Sequence, residues 1–250
     1  MERREVLLKC LGGAVATLVP SRLLSAPATG STNEFYELWE ETCLCHYWFE
    51  DKRAYDLCLR TWSLAPKDLD SSFRADIVEK LGHLRDALRS AEEDLRRQRK
   101  ALRGDPHNHE TRFYLAFTLT RLGLEEAAMA EYRVALENPA ELNADGFRDS
   151  QNNIGWYYYR QRDYHEALKW FDRVFEQADC SNFLGEAAAA KAIENKTLTL
   201  VALGMAQEAK ETARKYVQGF GRLPWPATHA LAKIGIDADA IYLEQYPFKP

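Results

Sequence analysis

The chain has 250 residues, of which 46% are hydrophobic and 12% aromatic; that is enough apolar material for a sizeable core and excludes wholesale disorder. Lysine and arginine number 33 against 38 aspartate and glutamate, and the resulting net charge of −5 disfavours nucleic acid or an anionic membrane as partner of the molecule as a whole. The 13 glycines and 9 prolines fall mostly between periodic segments, which favours helices.

Residues 1–28 are expected to be a signal peptide that is removed. A basic start (Arg3, Arg4, Lys9) leads into an apolar stretch from Cys10 to Pro20, and Ala26-Pro27-Ala28 supplies a small-x-small cleavage pattern. The apolar run is shorter than the roughly 20 residues a spanning helix needs, so no stable membrane insertion is expected after cleavage. Arg3-Arg4 followed by Glu5, Val6, Leu7, Leu8 and Lys9 resembles a twin-arginine export signal. That resemblance implies folding before export and a periplasmic or otherwise exported location. The alternative is a cytoplasmic protein whose amino terminus is never cleaved. Removal of the segment takes away Arg3, Arg4, Lys9 and Arg22 against Glu2 and Glu5, leaving a net charge of −7 and four cysteines, Cys43, Cys45, Cys58 and Cys180.

Residues 29–218 carry an internal repeat. Ala54, Ala128, Ala167 and Ala209 each follow a polar turn and open a helical pattern, and Asp94 occupies the same frame, with steps of 40, 34, 39 and 42 residues. Ala128, Tyr132 and Ala135, and likewise Ala167, Phe171 and Val174, fall on one helical face by their spacing of four and then three. A preceding helix is expected in each unit. Leu81-Gly82, Leu115-Ala116 and Ile154-Gly155 each stand twelve residues before an anchor, with a small residue where two backbones approach. Pro66, Pro106 and Pro139 are expected to stop the second helices. After Gly219 the pattern breaks, and residues 219–250 are expected to cap the array, with Pro226 and Asp237 opening helices and Trp225, Ile241 and Tyr242 covering the last apolar face.

With Ile154-Gly155, Tyr158, Ala167 and Phe171 in one unit and Leu115-Ala116, Gly123, Ala128, Tyr132 and Ala135 in another, the chain resembles the tetratricopeptide repeat family. The resemblance implies an all-α fold: an α-solenoid of about five antiparallel helix pairs stacked in a right-handed superhelix, with a concave groove that binds a protein or peptide. One helix pair cannot cover its own apolar face, so repetition builds the core.

Carried over by position, the resemblance assigns a peptide-binding groove to Phe113, Phe117 and Arg121 in one repeat, Asn153, Trp156 and Arg160 in the next, and Lys191, Asn195 and Leu198 in the one after. A side-chain amide at 153 and 195 can pair with both the N–H and the C=O of an extended peptide. Trp156 and the tyrosines 157 to 159 divide between groove and core.

Chemistry elsewhere is sparse. Cys43, Cys45, His46 and Cys58 have metal-ligand residue types but not the spacing of a zinc site; an alternative function, a redox or metal-carrying exported protein, would rest on them. Cys45 and Cys58 are expected to face one another across the first hairpin, where a disulfide could form. No GxGxxG, GxxxxGKS, GxSxG or HExxH occurs, so no catalytic residue, metal or cofactor is assigned. The basic run Arg96 to Arg103 follows Glu92, Glu93 and Asp94, and acid placed ahead of base reads as a solvated helix face. The sequence names neither the partner nor the oligomeric state.

Overall fold

The computed structural model describes residues 30–138, 142, 144–177 and 183–246. Among them are eleven helices and no strand: α1 (Gly30–Tyr47), α2 (Asp51–Ser63), α3 (Ser71–Gly104), α4 (His109–Arg121), α5 (Glu125–Ala135), α6 (Ala144–Arg160), α7 (Tyr164–Gln177), α8 (Phe183–Ala202), α9 (Ala206–Phe220), α10 (Trp225–Lys233) and α11 (Ala238–Gln245). The expected signal peptide, Pro139 and Cys180 lie outside the described residues. The chain divides into two compact units, one of Met1–Pro106 with Tyr114–Ala128 and the other of His107–Phe113 with Met129–Pro250. Neighbours in sequence pack on one another: α1 on α2 and α2 on α3 in the first unit, then α6 on α7, α7 on α8 and α8 on α9 in the second, with α6 also against α8. Within each unit this sequential packing is consistent with an α-solenoid.

One turn recurs four times. After α1, α4, α6 and α8 a residue with positive φ reverses the chain: Phe49 (58°), Gly123 (72°), Arg162 (60°) and Gly204 (74°). In each, the next residue donates its N–H five residues back, Glu50 to Cys45, Leu124 to Leu119, Asp163 to Tyr158 and Met205 to Leu200. The positive-φ residue donates three back, which together make a Schellman cap. The following helix then starts at once. Its fourth residue is the anchor alanine, whose N–H reaches the residue that ended the turn: Ala54 to Glu50, Ala128 to Leu124, Ala167 to Asp163 and Ala209 to Met205. All four alanines are buried.

The expected second pair is not a pair. α3 runs unbroken for 34 residues from its cap at Asp70, which accepts from the N–H of Ser72 at 2.8 Å and of Phe73 at 3.4 Å. Between Gly82 and Asp94 stand good helix formers and no residue of positive φ, so nothing turns the chain. Gly82 has no atom within 4 Å of where a Cβ would stand, so no helix crosses closely there. At Gly155 the expectation of close approach holds, because a Cβ would meet the Phe171 ring at 2.6 Å. Pro66 and Pro106 follow the ends of α2 and α3.

The first unit has an aromatic centre in which the Phe73 ring meets Phe35 at 5.8 Å and Trp39 at 5.3 Å, both edge to face. In the second, Leu200, Ala209, Ala213, Val217, Leu231, Ala238 and Ile241 form one apolar cluster with Tyr242 against it. Pro226 stands in the first turn of α10, and Asp237 caps α11 by accepting from Asp239 N at 2.9 Å and Ala240 N at 3.2 Å. Trp225 stacks on His229 at 5.5 Å.

Candidate functional site

The residues carried over as groove-lining fall into both units. In the first, Phe117 meets Phe49 edge to face at 5.4 Å, and Arg121 donates Nε to Asp51 Oδ2 at 2.7 Å and Nη2 to the Ala87 carbonyl at 3.0 Å. Arg121 is 17% and Asp51 4% exposed, so this ion pair fastens α4 to α2 and α3. In the second unit, Phe113 leans on Tyr132 at 6.3 Å, and Asn153 donates Nδ2 to the Tyr132 hydroxyl at 2.8 Å. Trp156 is 7% exposed and stacks on Tyr159 at 4.7 Å, and Leu198 is buried, so both are packing residues. Arg160 is half-buried at the end of α6.

What the structure does bring together is a polar seam where α6 packs against α8. Arg148, Gln151 and Asn152 on α6, and Glu194 and Asn195 on α8, are all buried. Asn195 Nδ2 donates to Asn152 Oδ1 at 3.0 Å. The Asn152 Nδ2 and Asn195 Oδ1 atoms have no hydrogen-bond partner among the described residues. Whichever way the two amides are turned, one NH2 donor and one carbonyl acceptor remain over. Leaving such atoms buried without partners costs about 1–3 kcal/mol each.

Lys191 adds a charge to this seam. Its Nζ lies 3.6 Å from Glu194 Oε2, with 27% of the lysine side chain and 2% of the glutamate exposed. Although part of the side chain reaches solvent, the ammonium sits deep among protein atoms. Desolvation therefore pulls it down to about 8, against the opposing pull of Glu194 and Asp149. Tyr216, also buried, is pushed up by desolvation and by the nearby Glu194 carboxylate. The seam thus offers an amide donor, an amide acceptor and an ion pair with a readily perturbed cation.

Positional matching pointed to Asn153, one residue from the amide that pairs. Asn153 matches Asn195 in repeat frame, but the two helices are staggered, so Asn152 is the neighbour and Asn153 turns to Tyr132. A sharper signal was present. Arg148, Gln151 and Asn152, and again Lys191, Glu194 and Asn195, repeat a polar triplet at i, i+3 and i+4, which places each triplet on one helical face.

Of the described cysteines, Cys43 and Cys58 are neighbours and Cys45 stands apart. Cys43, Cys45 and Cys58 are buried and free, and Cys58 Sγ donates to the Ile77 carbonyl at 3.8 Å. The Cys45–Cys58 bond is not formed: Cys58 has Cys43 and Lys80 as charged or titrating neighbours, whereas Cys45 has Glu50 and Arg53. Burial pushes the Cys43 thiol up to about 11 and Cys58 up to about 12, and raises Cys45 as well. His46 Nδ1 points to Asp51 at 3.8 Å. Among the described residues no group of three or more His, Cys, Asp or Glu is placed to hold a metal ion. Comparison with family profiles and with curated proteins finds no match to this chain. No described helix is long and apolar enough to cross a membrane.

Proposed function

We propose that this protein is an exported, non-enzymatic scaffold of tetratricopeptide-like repeats that binds a protein or peptide partner in extended form, as an assembly factor or a subunit of a periplasmic complex. The observation that carries this reading is the amide pair of the α6/α8 seam, which retains a buried donor and a buried acceptor. A peptide unit presents one N–H and one C=O, the complement of those two groups, and because both atoms are enclosed between α6 and α8, a peptide meets them only when the two helices part. Asp149, exposed near Lys191, would bias the charge of what enters. The recurrent turn and its buried anchor alanine support repeats of the tetratricopeptide kind, stacked as a right-handed superhelix. Export by a twin-arginine route rests on Arg3-Arg4 and the small-x-small stretch at 26–28.

Selection of peptides from a random library on the full mature chain, followed by hydrogen exchange with and without a selected peptide, tests the binding reading. Protection is expected in α6 and α8. Selection of nothing, or protection confined to other helices, contradicts it. The mass of the mature amino terminus tests export: a terminus at Thr29 agrees, and an intact Met1 in an active cytoplasmic pool does not.

A further inference from the structure

We propose that the last turns of α3 form a second docking surface, for an acidic polypeptide segment. The buried stripe of this helix runs through Phe73, Ile77, Lys80, Leu84 and Ala91. Arg96, Arg99, Lys100 and Arg103 lie elsewhere on the cylinder, at spacings of three and four that confine them to an arc of about 100°. All four are exposed. Two of the acids that precede them, which the sequence pattern offers as their partners, are otherwise placed. Glu93 lies 3.9 Å from Arg89, and Asp94 holds Arg97 at 2.6 Å. Among the described residues no carboxylate forms an ion pair with Arg96, Arg99, Lys100 or Arg103.

The helix dipole does not account for them. Its field at a C-terminus falls off within the last turn, which reaches Arg103 but not Arg96 or Arg99. Guanidinium forks bind carboxylates in bidentate fashion, and three of the four cations are arginines.

The occupant follows from extent. The stripe is about 10 Å long, close to the Debye length of about 8 Å at physiological salt. A short acidic segment therefore feels the stripe alone. A duplex or an anionic bilayer extends past it over a molecule of net charge −5 and is repelled. Between Val78 and Tyr114 no large hydrophobic side chain is exposed, so nothing on this stretch would wedge into lipid or stack on a base. The fitting partner carries carboxylates on successive helical turns, at the same spacing of three and four.

Fluorescence anisotropy of the full chain with a labelled oligoglutamate peptide tests the proposal. The quadruple variant R96Q/R99Q/K100Q/R103Q keeps good helix formers and should retain the wild-type circular dichroism while binding at least roughly tenfold more weakly. A control that neutralises the exposed Lys67 and Lys215 should bind as wild type, and wild-type affinity should fall steeply with added salt. Equal binding by wild type and the quadruple variant overturns the proposal. So does the absence of oligoglutamate binding by wild type, or tighter binding of phosphatidylglycerol vesicles or of a single-stranded oligonucleotide. Salt dependence of wild type alone keeps the proposal open to refutation should the variant fail to fold.

Discussion

Asn195 donates its side-chain amide to Asn152 Oδ1 at 3.0 Å across 43 residues of sequence, and in doing so leaves an amide group of each asparagine buried without a partner among the described residues. Both side chains are almost fully enclosed, at 1% and 4% exposed. Stability and binding should therefore be separable at this pair, because the two single changes and the joint change leave different groups stranded.

Gly155 and Gly82 should respond oppositely to alanine. A Cβ at Gly155 would stand 2.6 Å from the Phe171 ring, which is itself fully enclosed, so Gly155→Ala should cost about 1–3 kcal/mol despite alanine's better helix propensity. At Gly82 nothing lies within 4 Å, and Gly82→Ala should stabilise by up to about 1 kcal/mol. Urea denaturation of the two variants checks both signs. Equal effects would mean that α6 and α7 do not cross at Gly155.

The turn after α6 places Arg162 at φ 60°, where a Cβ is crowded. Arg162→Gly should raise stability by about 1 kcal/mol, and Gly204→Ala, with φ 74°, should lower it by a similar amount. Thermal melts measure the pair. A drop in melting temperature for Arg162→Gly would show that the turn is not the shared cap described above.

Arg121→Met should destabilise the first unit by about 3–5 kcal/mol, since it strands the Asp51 carboxylate, which is 4% exposed. The double change Arg121→Met with Asp51→Leu should recover most of the loss. A cycle without coupling would return Arg121 to the list of ligand-facing residues.

Lys191 makes stability depend on pH. Its pKa falls to about 8 in the folded chain from 10.5 unfolded, so between these values the unfolded state holds more protons and stability rises with pH. Below about 8 the cost of burying the ammonium is fully present. The slope from this group is at most about 1.4 kcal/mol per pH unit. The buried cysteines and Tyr159 and Tyr216 are shifted upward and act in the opposite sense at high pH, so the readout is the difference between wild type and Lys191→Met. That difference should move in favour of wild type from about pH 8 to 10.5. A flat difference contradicts the assigned burial.

Helices were legible because their signals are local. Alanine anchors at a spacing of four and three, Pro66 and Pro106, and Asp237 before α11 each act within one or two turns, and the structure uses them as the pattern implies. The second pair misled because Asp94 fits the repeat frame while the segment before it lacks a turn-former, and frame without a turn leaves one long helix. The site was harder to read for a different reason. Position in a repeat says which helix a residue stands on, but a stagger of one residue between neighbouring helices moves contact from Asn153 to Asn152. Trp156 was ambiguous because one aromatic run of four residues must face both ways, and only packing shows that this ring lies against Tyr159. The ion pair of Arg121 with Asp51 spans 70 residues, and no local pattern announces it.

On the proposed function, the amides of Asn152 and Asn195 serve a peptide that enters when α6 and α8 part, rather than the packing of α6 on α8. The decisive measurement is a double-mutant cycle with Asn152→Leu and Asn195→Leu, read by both urea denaturation and affinity for a peptide selected on wild type. Each single change strands the other amide and should cost about 1–3 kcal/mol of stability, while the double change removes both and should return stability close to wild type. Affinity should be lost in the double variant as fully as in either single one. A double variant that is folded, stable and still binds the peptide as wild type does would contradict the account.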